Sequence, residues 1–118
     1  IQDEYILEID ENVKLVFALL LTGCVNQGMA DKINEKAKSE EGYTYAQLIK
    51  DYKDPTIDLS TTVLGITNGV IIYVAGCKTP EEVEAKYEKD EKVNAVYVTI
   101  ALNKVVSAEY TEYSPEKE

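Results

Sequence analysis

Histidine and tryptophan are missing from this chain, and all twelve basic residues are lysine, so arginine is missing too. Without imidazole there is no Ser-His or Cys-His nucleophile pair, no side chain shuttling protons near neutrality, and no histidine metal ligand. Without guanidinium, the planar fork that grips phosphate, carboxylate or guanine is lost. Cysteine occurs only as Cys24 and Cys77, which excludes a CxxC redox motif and a four-cysteine zinc site. Long apolar runs are also lacking. The longest, Val13 to Val25, is interrupted by Lys14 and falls short of the roughly 20 residues of a membrane span.

What is present is acidic. Twenty-two Asp and Glu face the twelve lysines, for a net charge of -10, so phosphate backbones and anionic lipid surfaces are repelled. Neither nucleic acid nor a membrane span is expected, and no cofactor is called for. At 118 residues and 45% apolar content, the chain is sized for one α+β domain with one core, with an extended arm at residues 1–9 and a frayed tail at 114–118. Leu20-Leu21-Thr22-Gly23-Cys24 has the look of a lipoprotein cleavage box. However, Asp3, Glu4, Glu8, Asp10 and Glu11 precede it where a signal peptide is basic, and the run reads instead as buried core. A first residue other than methionine tilts the expected compartment toward an extracytoplasmic or secreted one.

The pattern predicts helices in the first half and strands in the second. Tyr5, Leu7 and Ile9 alternate as in an edge strand or extended arm. Residues 13–22 fit a helix started at Asp10, or a buried strand. Gly28 opens a helix with Met29, Ile33 and Ala37 on one face, ending at Gly42. Thr44 and Gln47 form a capping box for a helix striped by Tyr45, Leu48, Ile49 and Tyr52, stopped at Asp54-Pro55. From Ile57 the period shortens, and a strand to Thr67 is expected to turn at Asn68-Gly69 and return over Val70 to Ala75. Thr79-Pro80-Glu81-Glu82 caps a helix reaching about Glu91. Val93 to Leu102 and Val105 to Tyr113 are strands about a turn at Asn103-Lys104. The sum is a helical N-terminal half packed on a mainly antiparallel sheet of four or five strands, with one further helix.

Three groups carry chemistry worth weighing. Cys24 and Cys77 form a candidate disulfide, worth about 4 kcal/mol on loop-entropy grounds in an oxidising compartment. Alternatively, Cys77 is a reactive thiol, since the capped helix after it lowers a thiol pKa. Asp51, Asp54 and Asp58 gather around Pro55, but match no EF-hand spacing and read as solvated loop carboxylates. Nine tyrosines against one phenylalanine favour a wet, shared surface, which makes Tyr5, Leu7, Tyr97, Tyr110 and Tyr113 the candidate interface.

The stretch from Asn68-Gly69-Val70 through Ala75-Gly76, with the following helix and Val93-Asn94-Ala95-Val96, resembles the hairpin, helix and final strand of BON domains. Asn94 stands where that family carries a glycine, and residues 28–55 have no counterpart in it, so no function is carried over. The expected function is non-enzymatic binding or self-assembly through protein contacts. The alternatives are an acidic inhibitor or immunity-type protein that covers a basic partner, and a thiol-dependent enzyme using Cys77.

Overall fold

The computed structural model describes residues 25–115. The first helix, α1, spans Gln27–Ala37. Its cap is Asn26 rather than Gly28: the Asn26 side chain accepts from the Met29 N–H at 3.0 Å, satisfying a donor that the first turn leaves over. Met29, Ala30 and Ile33 form its buried face. The helix ends at Ala37, and Gly42, at φ +75°, serves the following turn instead of the helix end. Helix α2, Tyr45–Tyr52, has the expected capping box between Thr44 and Gln47. Leu48 is fully buried beneath it, with Tyr45, Ile49 and Tyr52 packed alongside.

Five strands follow, β1 (Ile57–Asp58), β2 (Thr61–Val63), β3 (Ile66–Val74), β4 (Asn94–Ala101) and β5 (Lys104–Glu112), with helix α3 (Pro80–Glu88) between β3 and β4. Every pairing is antiparallel, in the order β1-β3-β4-β5, with β2 beside the outer half of β3. The α+β class and the antiparallel sheet are therefore observed. A helical N-terminal half is not borne out as such. Two helices occupy 27–52, strands begin at 57, and the readings of 1–9 and 10–23 lie outside the described residues.

The hairpin turn is displaced from where the sequence pointed. Asn68-Gly69 lies inside β3, and the turn is Leu64-Gly65, whose φ values of +52° and +80° supply the left-handed pair that a two-residue hairpin needs. Val63 and Ile66 face each other across it. Gly69 answers a different need. At φ +136°, an added Cβ would stand 2.6 Å from the Ser60 Cα and 2.9 Å from the Leu59 carbonyl oxygen. The glycine is there because the bend between β1 and β2 crosses β3 in contact, held by the Ser60 N–H donating to Asp58 at 2.8 Å. The second turn also shifts by one, to Leu102-Asn103, at φ +51° and +66°. Helix α3 has its Thr79 cap and Pro80, but stops at Glu88, and the Glu82 carboxylate accepts from the Lys78 N–H rather than closing on Thr79.

The sheet separates two apolar layers. On one side α1 and α2 cover Ile71, Tyr73, Val96, Val98, Ile100, Val105 and Ala108. On the other, Ile72, Val74 and Ala95 meet Cys77 and Val83. Among the described residues no helix is long and apolar enough to cross a membrane.

Gly69→Ala is expected to destabilise the domain by about 2–4 kcal/mol, from backbone strain plus the clash with Ser60. A urea denaturation midpoint close to that of the unsubstituted protein would show that the β1–β2 bend can move aside.

Candidate functional site

Outward-facing backbone groups on an antiparallel edge strand recur every second residue, and β5 is such an edge. Its first half is sealed. Tyr45 N–H donates to the Asn103 carbonyl at 2.8 Å, Val105 N–H donates to the Tyr43 carbonyl at 2.8 Å, and Thr44 bridges Lys104. At Ala108 the seal is a side chain. The Asn34 amide donates to the Ala108 carbonyl at 2.8 Å, and its oxygen accepts the Ala108 N–H at 2.8 Å, so one amide supplies the donor and acceptor of a missing strand. The same two-residue step turns the N–H and C=O of Tyr110 and Glu112 outward, and among the described residues nothing pairs with them. Sequence reasoning missed Asn34. Its signal was a poor helix former set next to Ile33 in the middle of an amphipathic helix.

Of the candidate interface residues that are described, Tyr110 lies on the opposite face of the sheet from Tyr97 and Tyr113. Tyr110 lies in register with Val96 and packs on the helical side, its hydroxyl accepting from the Asn94 amide at 3.1 Å. Tyr97 points the other way by strand alternation and is half-buried with Tyr113 on the second layer, where its hydroxyl accepts from the Ser114 N–H at 3.1 Å. Tyr5 and Leu7 lie outside the described residues.

Tyrosines and carboxylates do gather around α2. Buried Tyr43 donates its hydroxyl proton to Asp51, whose carboxylate lies 3.3 Å from the Lys36 ammonium, while that ammonium sits 5.0 Å from the Tyr43 ring centre. Tyr73 donates to the Lys53 carbonyl at 2.8 Å and meets Tyr52 edge to face, ring centres 6.3 Å apart. Burial, and then Asp51 beside it, pushes the Tyr43 phenol far above the ordinary tyrosine range. Burial does the same to Tyr73, and raises Tyr52 and Tyr45, the last with help from Asp58. These phenols stay protonated at neutral pH. They act as donors and packing surface rather than as bases.

The three aspartates do not converge. Asp51 is taken by Tyr43 and Lys36, and Asp58 by Ser60. Asp54 and Asp58 border a shallow, open groove with Tyr45, Ala46, Ile49 and Pro55. Among the described residues no group of three or more metal-ligating side chains forms.

Cys77 is buried in the second layer. Its N–H donates to the Val74 carbonyl at 3.1 Å, and its carbonyl accepts from the Thr56 hydroxyl at 2.9 Å. Burial pushes its thiol up, Lys86 pulls it down and Glu82 raises it. The helix after it begins three residues on, at Pro80, with the Glu82 N–H taken by the Thr79 side chain. Cys24 lies outside the described residues, and so does the candidate pairing.

Because folding raises the affinity of Tyr43 and Tyr73 for their protons, their contribution to stability is complete below about pH 10 and is lost as the pH rises further. In an alkaline titration, a late fraction of the phenolate absorbance is expected to appear together with loss of the far-ultraviolet dichroism. Full phenolate development while the fold is intact would contradict this.

No known protein family matches the chain, and the comparisons found no similar curated protein or solved structure. The likeness to BON domains also loses its first element, since Asn68-Gly69 runs on as strand.

Proposed function

We propose that this domain is a non-enzymatic binding protein that works through protein–protein contacts, with self-assembly as the simplest form and strand addition at the open half of β5 as the mode. The half-sealed edge carries this reading. The segment at Tyr43–Tyr45 and the Asn34 amide cover β5 as far as Ala108, and beyond it Tyr110-Thr111-Glu112 has neither the lysine nor the proline that commonly blocks an exposed strand. The alternating segment 1–9, with Tyr5 and Leu7, is the chain's own candidate for the added strand.

A second reading, an acidic protein that covers a basic partner, is favoured by the net charge of -10 and by Asp54 and Asp58 beside the apolar groove. Binding of that kind weakens steeply with salt. The thiol-enzyme reading has less support, because a buried thiol held above its usual range is a poor nucleophile at neutral pH.

Glu112→Pro, at an exposed position, removes an outward N–H that the β4–β5 ladder does not use. It is expected to weaken edge-mediated association, measured by light scattering after size exclusion, with the thermal midpoint little changed. Asn34→Ala leaves Ala108 uncovered. It should cost about 1–3 kcal/mol and increase association. Association that is indifferent to both substitutions would remove β5 from the proposal.

A further inference from the structure

We infer that Cys24 is a lipid-modification site, where the chain is cut and anchored to a membrane surface through a diacylglyceryl thioether. The inference is independent of the strand-addition reading above. It starts from the box Leu21-Thr22-Gly23-Cys24, an aliphatic residue, two small residues and the cysteine, at the end of the apolar run Leu15 to Leu21. An export leader joins a basic residue, an apolar run of roughly 7–15 residues and small residues before the cut. Lys14 directly precedes the run, and Thr22 and Gly23 close it. The five acids that weigh against a leader all lie on the far side of Lys14.

The fold adds two observations. The domain takes hold of the chain at the very next residue, since Val25 packs with Tyr110 against the helical-side core, Asn26 caps α1 and the helix starts at Gln27. A cut before Cys24 leaves every described element whole, whereas a cut three residues later would remove the Asn26 cap. Residues 15–30 are also uncharged, and the first turn of α1 carries no acid, so the anchored end lacks the charge that anionic lipid repels.

The second observation concerns the competing use of Cys24, a bond to Cys77. A disulfide holds its two Cα atoms within about 7 Å. Val25, the neighbour of Cys24, packs on the helical side of the sheet, while Cys77 is buried in the opposite layer. The sheet itself stands between the two cysteines.

The co-reactants are a glycerophospholipid and water, brought together by the cell's own enzymes. The Cys24 sulfur attacks the glycerol carbon that bears the phosphate ester. A C–S bond forms, the C–O bond to phosphate breaks, and the thiol proton ends on the departing phosphate, which leaves with its headgroup. Water then hydrolyses the Gly23–Cys24 peptide bond, giving a carboxylate on Gly23 and an amine on Cys24. That cut removes Asp3, Glu4, Glu8, Asp10 and Glu11 together with Lys14. A chain this acidic gains nothing from anionic lipid by charge, and two acyl chains supply the stable attachment that one does not.

Expression of the full chain in a bacterium fed an alkyne analogue of palmitate tests this. The chain is expected to take up the label, to enter the detergent phase of Triton X-114, and to give an N-terminal peptide that begins at lipidated Cys24. Cys24→Ser should lose both label and cut, Lys14→Glu should lose most of the label, and Cys77→Ala should keep both. An uncut, unlabelled wild-type chain, in cells whose own lipoproteins carry the label, overturns the proposal. So does label that survives Cys24→Ser, or a Cys24–Cys77 disulfide in the peptide map of the exported protein. Glu112→Pro should leave the label unchanged, so failure of the β5 reading and failure of this one are told apart.

Discussion

Strand β3 is hydrogen-bonded on both sides and buried on both faces along its inner half. Ile71 and Tyr73 point to the helices, Ile72 and Val74 to the opposite layer, and β1, β2 and β4 all take their register from it. A one-residue slip would exchange the two apolar sets, setting Tyr73 where Ile72 now packs and leaving its hydroxyl without the Lys53 carbonyl. The position of α1 and α2, the lie of β4, and through β4 that of β5, all follow from this strand. Gly69 lets the strand run on beneath the β1–β2 bend, so that its outer half can pair with β2.

Asparagine side chains repeatedly supply groups that the backbone lacks. Asn26 caps α1, Asn34 stands in for a strand beside Ala108, and Asn68 and Asn103 join the two turns. An amide offers a donor and an acceptor in one plane, which suits a peptide group that has lost its partner. These contacts divide the surface. Where an amide caps the backbone, strand pairing is closed; where it locks a turn, apolar side chains stand rigidly in solvent. Among the described residues, no strand lies beside β5 beyond Ala108.

The polar residues around α2 are spent on the fold. Tyr43, Asp51 and Lys36 satisfy one another, Tyr73 is tied to Lys53, and Thr56 joins Val74 to Cys77. A phenol that donates to a carboxylate in a buried setting resists ionisation, and a thiol in an apolar layer does the same.

Local signals in the sequence did set several elements. Thr44 with Gln47, Thr79 with Pro80 and the Met29–Ile33 stripe each depend on neighbours within a turn of chain, and each appears where the spacing put it. The charge balance and the missing residue types likewise needed no coordinates. The true hairpin turns, the role of Gly69, the Asn34 seal, the parting of Tyr97 from Tyr110 and the burial of Cys77 were decided only by the tertiary structure. The reason is physical. Asn-Gly is a turn signal only if nothing else requires that glycine, and here the β1–β2 bend, several residues earlier in the chain, crosses over it. An asparagine in a helix declares an edge seal only once β5, 74 positions away, is laid beside it.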